Sequence, residues 1–198
     1  MDVLVDACAG IHALGMTAGP APLLALIDGL LQEPSYHVTR AVRTEWVRNG
    51  LGEWQAALQD QGRLVVMPNR FAGARARHLA LRRTQGAQAP GLSDAGLLIA
   101  AEHSGLPLIT DDAALYRAGL ASKAACLDLF DVCLAAVAAG MMTLDGLDAC
   151  FGYLGSASPH YHPMGWAALS QGGRRWPGDR AVLVAQRRSP EALLALLR

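Results

Sequence analysis

Two acidic positions in this 198-residue chain directly follow short apolar runs: Val3-Leu4-Val5 ends at Asp6, and Leu108-Ile109-Thr110 ends at Asp111-Asp112. Such runs suit strands buried on both faces of a parallel sheet, with the acid at the carboxyl end. Two strands of this kind side by side hold their carboxylates in one crevice, where mutual repulsion raises the pKa values unless a cation is present. A cluster of acids without histidine partners suits hard Mg²⁺ or Mn²⁺ better than Zn²⁺. Two further acids lie where helices can aim them at the same crevice: Glu45, in a helix after the second strand, and Asp94, in the first turn of the helix that feeds the Asp111-Asp112 strand. An aspartate at a helix start is also favoured by the helix dipole alone, so Asp94 carries two readings.

The elements that must position these acids alternate. Strands are expected at 3–5, 36–39, 64–67, 108–110 and 125–127. Helices are expected at 7–15, 20–31, 41–58 with an interruption at Gly50 and Gly52, 71–83, 93–103 with Ser93 as N-cap, 113–118, 132–139 and 144–154. Short buried strands alternating with helices predict an α/β fold with a central, mainly parallel sheet, whose ligand crevice lies at the carboxyl ends of the strands. Beyond Gly155 the composition shifts to Gly, Ser, Pro, His and Trp without a clear period, with a strand over 181–185 and a last helix over 190–197.

Val-Leu-Val-Asp6, Val38-Thr39 leading to Glu45, Leu92-Ser93-Asp94 before an apolar helix, and Leu106-Pro107-Leu108-Ile109-Thr110-Asp111-Asp112 together resemble, in order and spacing, the PIN-domain ribonucleases, which include the VapC-like toxins of toxin–antitoxin pairs. The resemblance covers about residues 1–142. It implies a three-layer α/β/α PIN-like domain over residues 1–150, with 151–198 as an extension packed on it. It also implies an acidic centre of Asp6, Glu45, Asp94 and Asp112 that holds Mg²⁺ or Mn²⁺, with Asp111 able to contribute as a metal ligand and Thr110 supporting the site by hydrogen bonding. The implied reaction is hydrolysis of RNA phosphodiester bonds to 5′-phosphate and 3′-hydroxyl ends. In the toxin branch the implied partner is an antitoxin peptide that covers an apolar groove and sends a basic residue into the acidic site. Many members place the third acid two residues later, at the position of Gly96 here; two residues are about 200° around a helix, so the two positions are not equivalent. The alternative is therefore a non-catalytic PIN-like interaction module with an impaired acidic site.

Formal charge is zero, from 17 basic and 17 acidic side chains, which on its own argues against a nucleic-acid enzyme. The zero is a cancellation: residues 1–39 carry −4, 40–83 carry +6, 84–173 carry −6 and 174–198 carry +4. The basic blocks are almost wholly arginine, whose planar fork fits phosphate, and Arg43 and Arg48 beside Glu45 are the candidate substrate-binding residues. The hydrophobic fraction of 52% excludes intrinsic disorder, and with the apolar helix over 20–31 it suggests a homo-oligomer or a bound partner. Gly and Pro break the uncharged stretch over 7–27, so no membrane span is expected. Cys8, Cys126, Cys133 and Cys150 lack paired spacing and read as buried thiols of a cytoplasmic protein, consistent with an N-terminus that lacks a signal-peptide pattern. Cys150, His160 and His162 do not have the spacing of a zinc site, Ser156 and Ser158 lack a nucleophile-elbow context, and no glycine-rich phosphate loop is present.

Overall fold

The computed structural model describes residues 2–15, 23–68, 71–147 and 188–197. Five parallel strands, β1 (Val3–Val5), β2 (Tyr36–Thr39), β3 (Leu64–Met67), β4 (Leu108–Ile109) and β5 (Cys126–Leu127), form one sheet in the order β3-β2-β1-β4-β5. Helices flank it, as expected of a three-layer α/β/α fold. All four strand pairings are parallel. β1 is buried at every position, which is why its sequence is a continuous apolar run and not an alternating one. β3 is an edge strand that leaves Val65 and Val66 exposed.

Contacts group the chain into two units. The first comprises Met1–Ile11 and Pro34–Leu127, the second His12–Glu33 and Asp128–Arg198. The boundary expected at residue 150 lies outside the described residues, as do the strand expected over 181–185, Cys150, Ser156, Ser158, His160 and His162.

In the first unit, β2 leads through Thr39 directly into α3 (Arg40–Arg48); the Thr39 hydroxyl caps that helix by accepting from the Val42 N–H at 3.3 Å. One interrupted helix was expected over 41–58, and the structure has two. Asn49 closes α3, Gly50 turns the chain with φ +91°, which only glycine adopts without strain, and buried Leu51 precedes α4 (Gly52–Asp60). Trp46 is fully buried beneath α3, 5.0 Å from the Trp54 ring of α4 in centroid distance, and Trp54 in turn meets Tyr36 edge-on. The start of α1 (Ala7–Gly15) lies against the same indole, since a Cβ at Gly10 would fall 2.5 Å from Trp46 Nε1. Helix α5 (Ala74–Gln85) packs on α6 (Leu92–Ser104), where Arg77 pairs with Glu102. The N-cap of α6 is Gly91 and not Ser93, because Asp94 reaches back to the Gly91 N–H at 2.8 Å and draws the helix start earlier. Helix α7 (Ala113–Leu120) follows β4.

In the second unit, α2 (Leu23–Leu30) and α9 (Pro190–Leu196) both contact α8 (Leu129–Ala138). α8 starts three residues earlier than its apolar pattern suggests. Buried Asp128 caps it by accepting from the Asp131 N–H at 2.8 Å, while Asp131 accepts from the Asp128 N–H at 3.3 Å.

Candidate metal centre

The strand order makes β1 and β4 the switch point of the sheet: the chain runs outward from β1 through β2 to β3, then returns to the other side of β1 with β4. In open α/β sheets this is where a crevice forms. Leu4 is in register with Leu108 and Val5 with Ile109, and the Asp6 N–H donates to the Ile109 carbonyl at 3.0 Å. The residues after the two strands, Asp6 and Thr110, are thereby fixed side by side.

Asp6 is 7% exposed, and both its oxygens are occupied. Oδ1 accepts from the Ala7 N–H at 2.7 Å; Oδ2 accepts from the Thr110 hydroxyl at 2.9 Å and from the Cys8 thiol at 2.9 Å. Thr110 Oγ1 in turn accepts from the Asp112 N–H at 3.1 Å, and the Asp111 N–H donates to Cys8 Sγ at 3.2 Å. Asp112 caps α7, with Oδ1 accepting from the Leu115 N–H at 2.7 Å. Asp94 likewise commits Oδ2 to the Gly91 N–H. One oxygen of Asp112 and one of Asp94 therefore serve their helices, and the other is spare.

Burial pushes the Asp6 carboxyl up to about 6; the Cys8, Thr110 and Ala7 hydrogen bonds pull against this, and the negative charge of Asp94 adds to it. Asp94 is also raised, first by burial and then by the charges of Asp112 and Glu45, with the Gly91 N–H and His78 opposing. The Cys8 thiol is pushed well above its ordinary range by burial and by the charges of Asp6 and Asp111, so it remains a protonated donor. Asp6, Glu45, Asp94 and Asp112 are thus electrostatically linked through Asp94.

Among the described residues, no three His, Cys, Asp or Glu side chains converge as a ready cage for an ion. Mg²⁺ does not require one, since it keeps several waters and takes one or two carboxylates together with substrate phosphate. Asp94 and Asp112 each keep one carboxylate oxygen outside their helix caps, and the like charges around Asp94 are ones a cation would relieve. The Gly96 position does not contribute: a Cβ there would lie 3.0 Å from Phe71 Cδ2 and 4.0 Å from the Ala74 Cβ, so it faces α5 and its flank.

No protein-family model and no curated protein matches this chain. No helix among the described residues is long and apolar enough to cross a membrane.

Arg43 turns toward α4, and Arg48 is exposed in the last turn of α3. The Arg43 guanidinium is held on α4, where the Gln55 amide, oriented to satisfy both of its atoms, accepts from Nε at 3.1 Å and donates to the Arg43 carbonyl at 3.1 Å. Arg43 Nη2 also donates to Gln59 at 3.3 Å. Nearness to Glu45 in sequence therefore misleads for Arg43: the two residues are two positions apart, about 200° around α3. Cys8, expected as a buried thiol, is half-buried, and its position two residues after the strand-end aspartate puts the thiol within reach of that carboxylate.

Proposed function

We propose that this chain is a metal-dependent endoribonuclease, with Asp6, Glu45, Asp94 and Asp112 forming the acidic centre for Mg²⁺ or Mn²⁺ and Asp111 beside it. The observation that carries the reading is the buried Asp6 carboxylate at the β1/β4 switch point, bonded to Thr110 and under the field of Asp94. A site that raises a carboxylate pKa by burial and by like charge favours a cation. A bound divalent ion supplies charge to neutralise the scissile phosphate and acidifies a water for attack. The chain's own groups do the positioning. Thr110 and Cys8 fix the Asp6 carboxylate by donating to Oδ2, the Ala7 N–H fixes Oδ1, and the α6 and α7 caps fix Asp94 and Asp112. The PIN-like order of motifs is compatible with two forms of this activity in the cytoplasm: the toxin of a toxin–antitoxin pair, with an antitoxin and a second copy of the chain as its partners, and an RNA-processing enzyme.

The lack of a converged ion cage among the described residues favours one second reading, a PIN-like interaction module without catalysis. Incubation of the purified chain with single-stranded RNA and Mg²⁺ or Mn²⁺ separates the two. Cleavage that stops with EDTA and in Asp6→Asn is the expected result; intact RNA under every metal condition, or undiminished cleavage by the variant, sinks the nuclease reading.

A further inference from the structure

Outside the acidic centre, one stripe of α3 carries three arginines. Arg40, Arg43, Thr44, Val47 and Arg48 follow the i, i+3, i+4, i+7, i+8 spacing of a single helix face. With Gln55 of α4 and Val66 of β3 they line an open cleft of about 670 Å³. No carboxylate lines this cleft, and among the described residues none pairs with Arg40, Arg43 or Arg48. Helix stability accounts for Arg48, in the last turn where a cation is favoured, and not for the rest of the stripe. Arg40 stands in the first turn, where a cation opposes the helix dipole, and Val47 is 54% exposed. The one guanidinium that is immobilised, that of Arg43, is held by a buried amide, which restrains the side chain and leaves its charge unneutralised. Arg40 also directly follows Thr39, the last residue of β2, so the cleft opens at the sheet edge where β1 and β4 deliver Asp6 and Thr110.

We propose that the cleft between α3, α4 and β3 is a track for the phosphate backbone of single-stranded RNA, with Arg40, Arg43 and Arg48 as the phosphate contacts and Gln55 as the residue that positions Arg43. Unpaired arginine forks along one helix face match successive phosphates, and the exposed valines offer apolar surface to sugars and bases. This rests on the ribonuclease reading for the choice of RNA, and it adds where the strand runs.

The test measures binding of a fluorescein-labelled single-stranded RNA by anisotropy in EDTA, where no cleavage interferes, across a series of salt concentrations. The triple variant Arg40→Gln, Arg43→Gln, Arg48→Gln is expected to bind about tenfold or more weakly, with the slope of log K against log salt shallower by about 2, as loss of three single-strand phosphate contacts requires. The control Arg82→Gln, Arg83→Gln, on the exposed end of α5, is expected to keep the wild-type slope. An unchanged slope in the triple variant overturns the proposal, as does an equal loss in the control. Polyglutamate that binds wild type more tightly than the RNA overturns it in favour of an acidic peptide. Cleavage by wild type in Mg²⁺ combined with an unchanged slope in the triple variant leaves the nuclease reading standing and removes the track. Arginine-dependent binding without cleavage in any metal does the reverse.

Discussion

In the acidic centre three carboxylates are tied to the backbone of the fold: Asp6 to the Ala7 N–H, Asp94 to Gly91, Asp112 to Leu115. On α3, by contrast, Arg40 and Arg48 stand exposed, and only Arg43 is held, by one buried amide. Asp94 and Asp112 are placed by the same hydrogen bonds that start helices α6 and α7, so their positions follow from folding. The arginines are placed by the periodicity of one helix, and the fold would survive without their charge. Fixed, partly buried groups suit transition-state chemistry, which depends on preorganisation; exposed cations suit binding of a polyanion, which depends on charge density.

This contrast is broken most severely by Asp6→Asn. Metal-dependent cleavage should fall by about 10²–10³-fold or more, the loss that follows removal of one preorganised charge-stabilising group, while RNA affinity in EDTA stays at the wild-type value. The arginine triple variant should do the opposite, raising KM with kcat preserved at saturating RNA. Steady-state kinetics of the two variants side by side check both; a kcat loss in the arginine variant equal to that of Asp6→Asn would merge the two regions into one.

The next effect is on stability. The folded pKa of Asp6, about 6, lies above the ordinary carboxylate value of 3.8, so the folded state binds the proton more tightly than the unfolded one. The resulting contribution is complete below about pH 4 and is lost as pH rises through about 6; a shift of this size corresponds to about 3 kcal/mol. Urea unfolding in EDTA at pH 4.5 and 7.5 should show wild type losing stability relative to Asp6→Asn across that interval. Mg²⁺ should recover part of the loss at pH 7.5 in wild type and none in the variant. Parallel pH profiles for the two proteins would refute the assignment.

Gly10→Ala tests what the two regions share. A methyl at this position would meet Trp46 Nε1 at 2.5 Å, and Trp46 is the buried anchor of the helix that carries Glu45 on one side and the arginines on another. Overpacking of this kind costs about 1–3 kcal/mol, read as a lower urea midpoint with an unchanged slope. Both cleavage and RNA affinity should weaken together, unlike in either single-region variant.

What the sequence revealed follows from how local each signal was. The β1 and β4 runs were legible because a strand buried on both faces must be apolar throughout, and their pairing places Asp6 beside Thr110. The break between α3 and α4 was foreshadowed by Gly50 and Gly52, although nothing local showed that Leu51 would be buried between two separate helices. The start of α6 was misassigned because Ser93 is a good N-cap by type, whereas the decisive contact is from Asp94 back to a glycine that has no side chain to signal it. Arg43 was grouped with Glu45 by proximity along the chain, but the helix turns it toward Gln55, a residue twelve positions on that no sequence pattern links to it. The Cys8 thiol joins Asp6 to the Asp111 backbone across more than one hundred residues, a contact set by strand order and not by spacing.

The smallest expected effect is a failure to rescue. Asp94→Asn should weaken cleavage, and adding Gly96→Asp tests whether an acid two residues further along α6 can replace it. Asp94 is within the field of Asp112 and Glu45, whereas a side chain at position 96 is directed at Phe71, with its first carbon already 3.0 Å from that ring. The double variant should therefore cleave no faster than Asp94→Asn alone, and it should unfold at lower urea, because a carboxylate is forced against an aromatic ring and away from any cation. Recovery of cleavage in the double variant would mean that α6 can rotate or restart so that position 96 faces the crevice. The hydrogen bond from the Gly91 N–H to Asp94 would then be the lock on the register of α6.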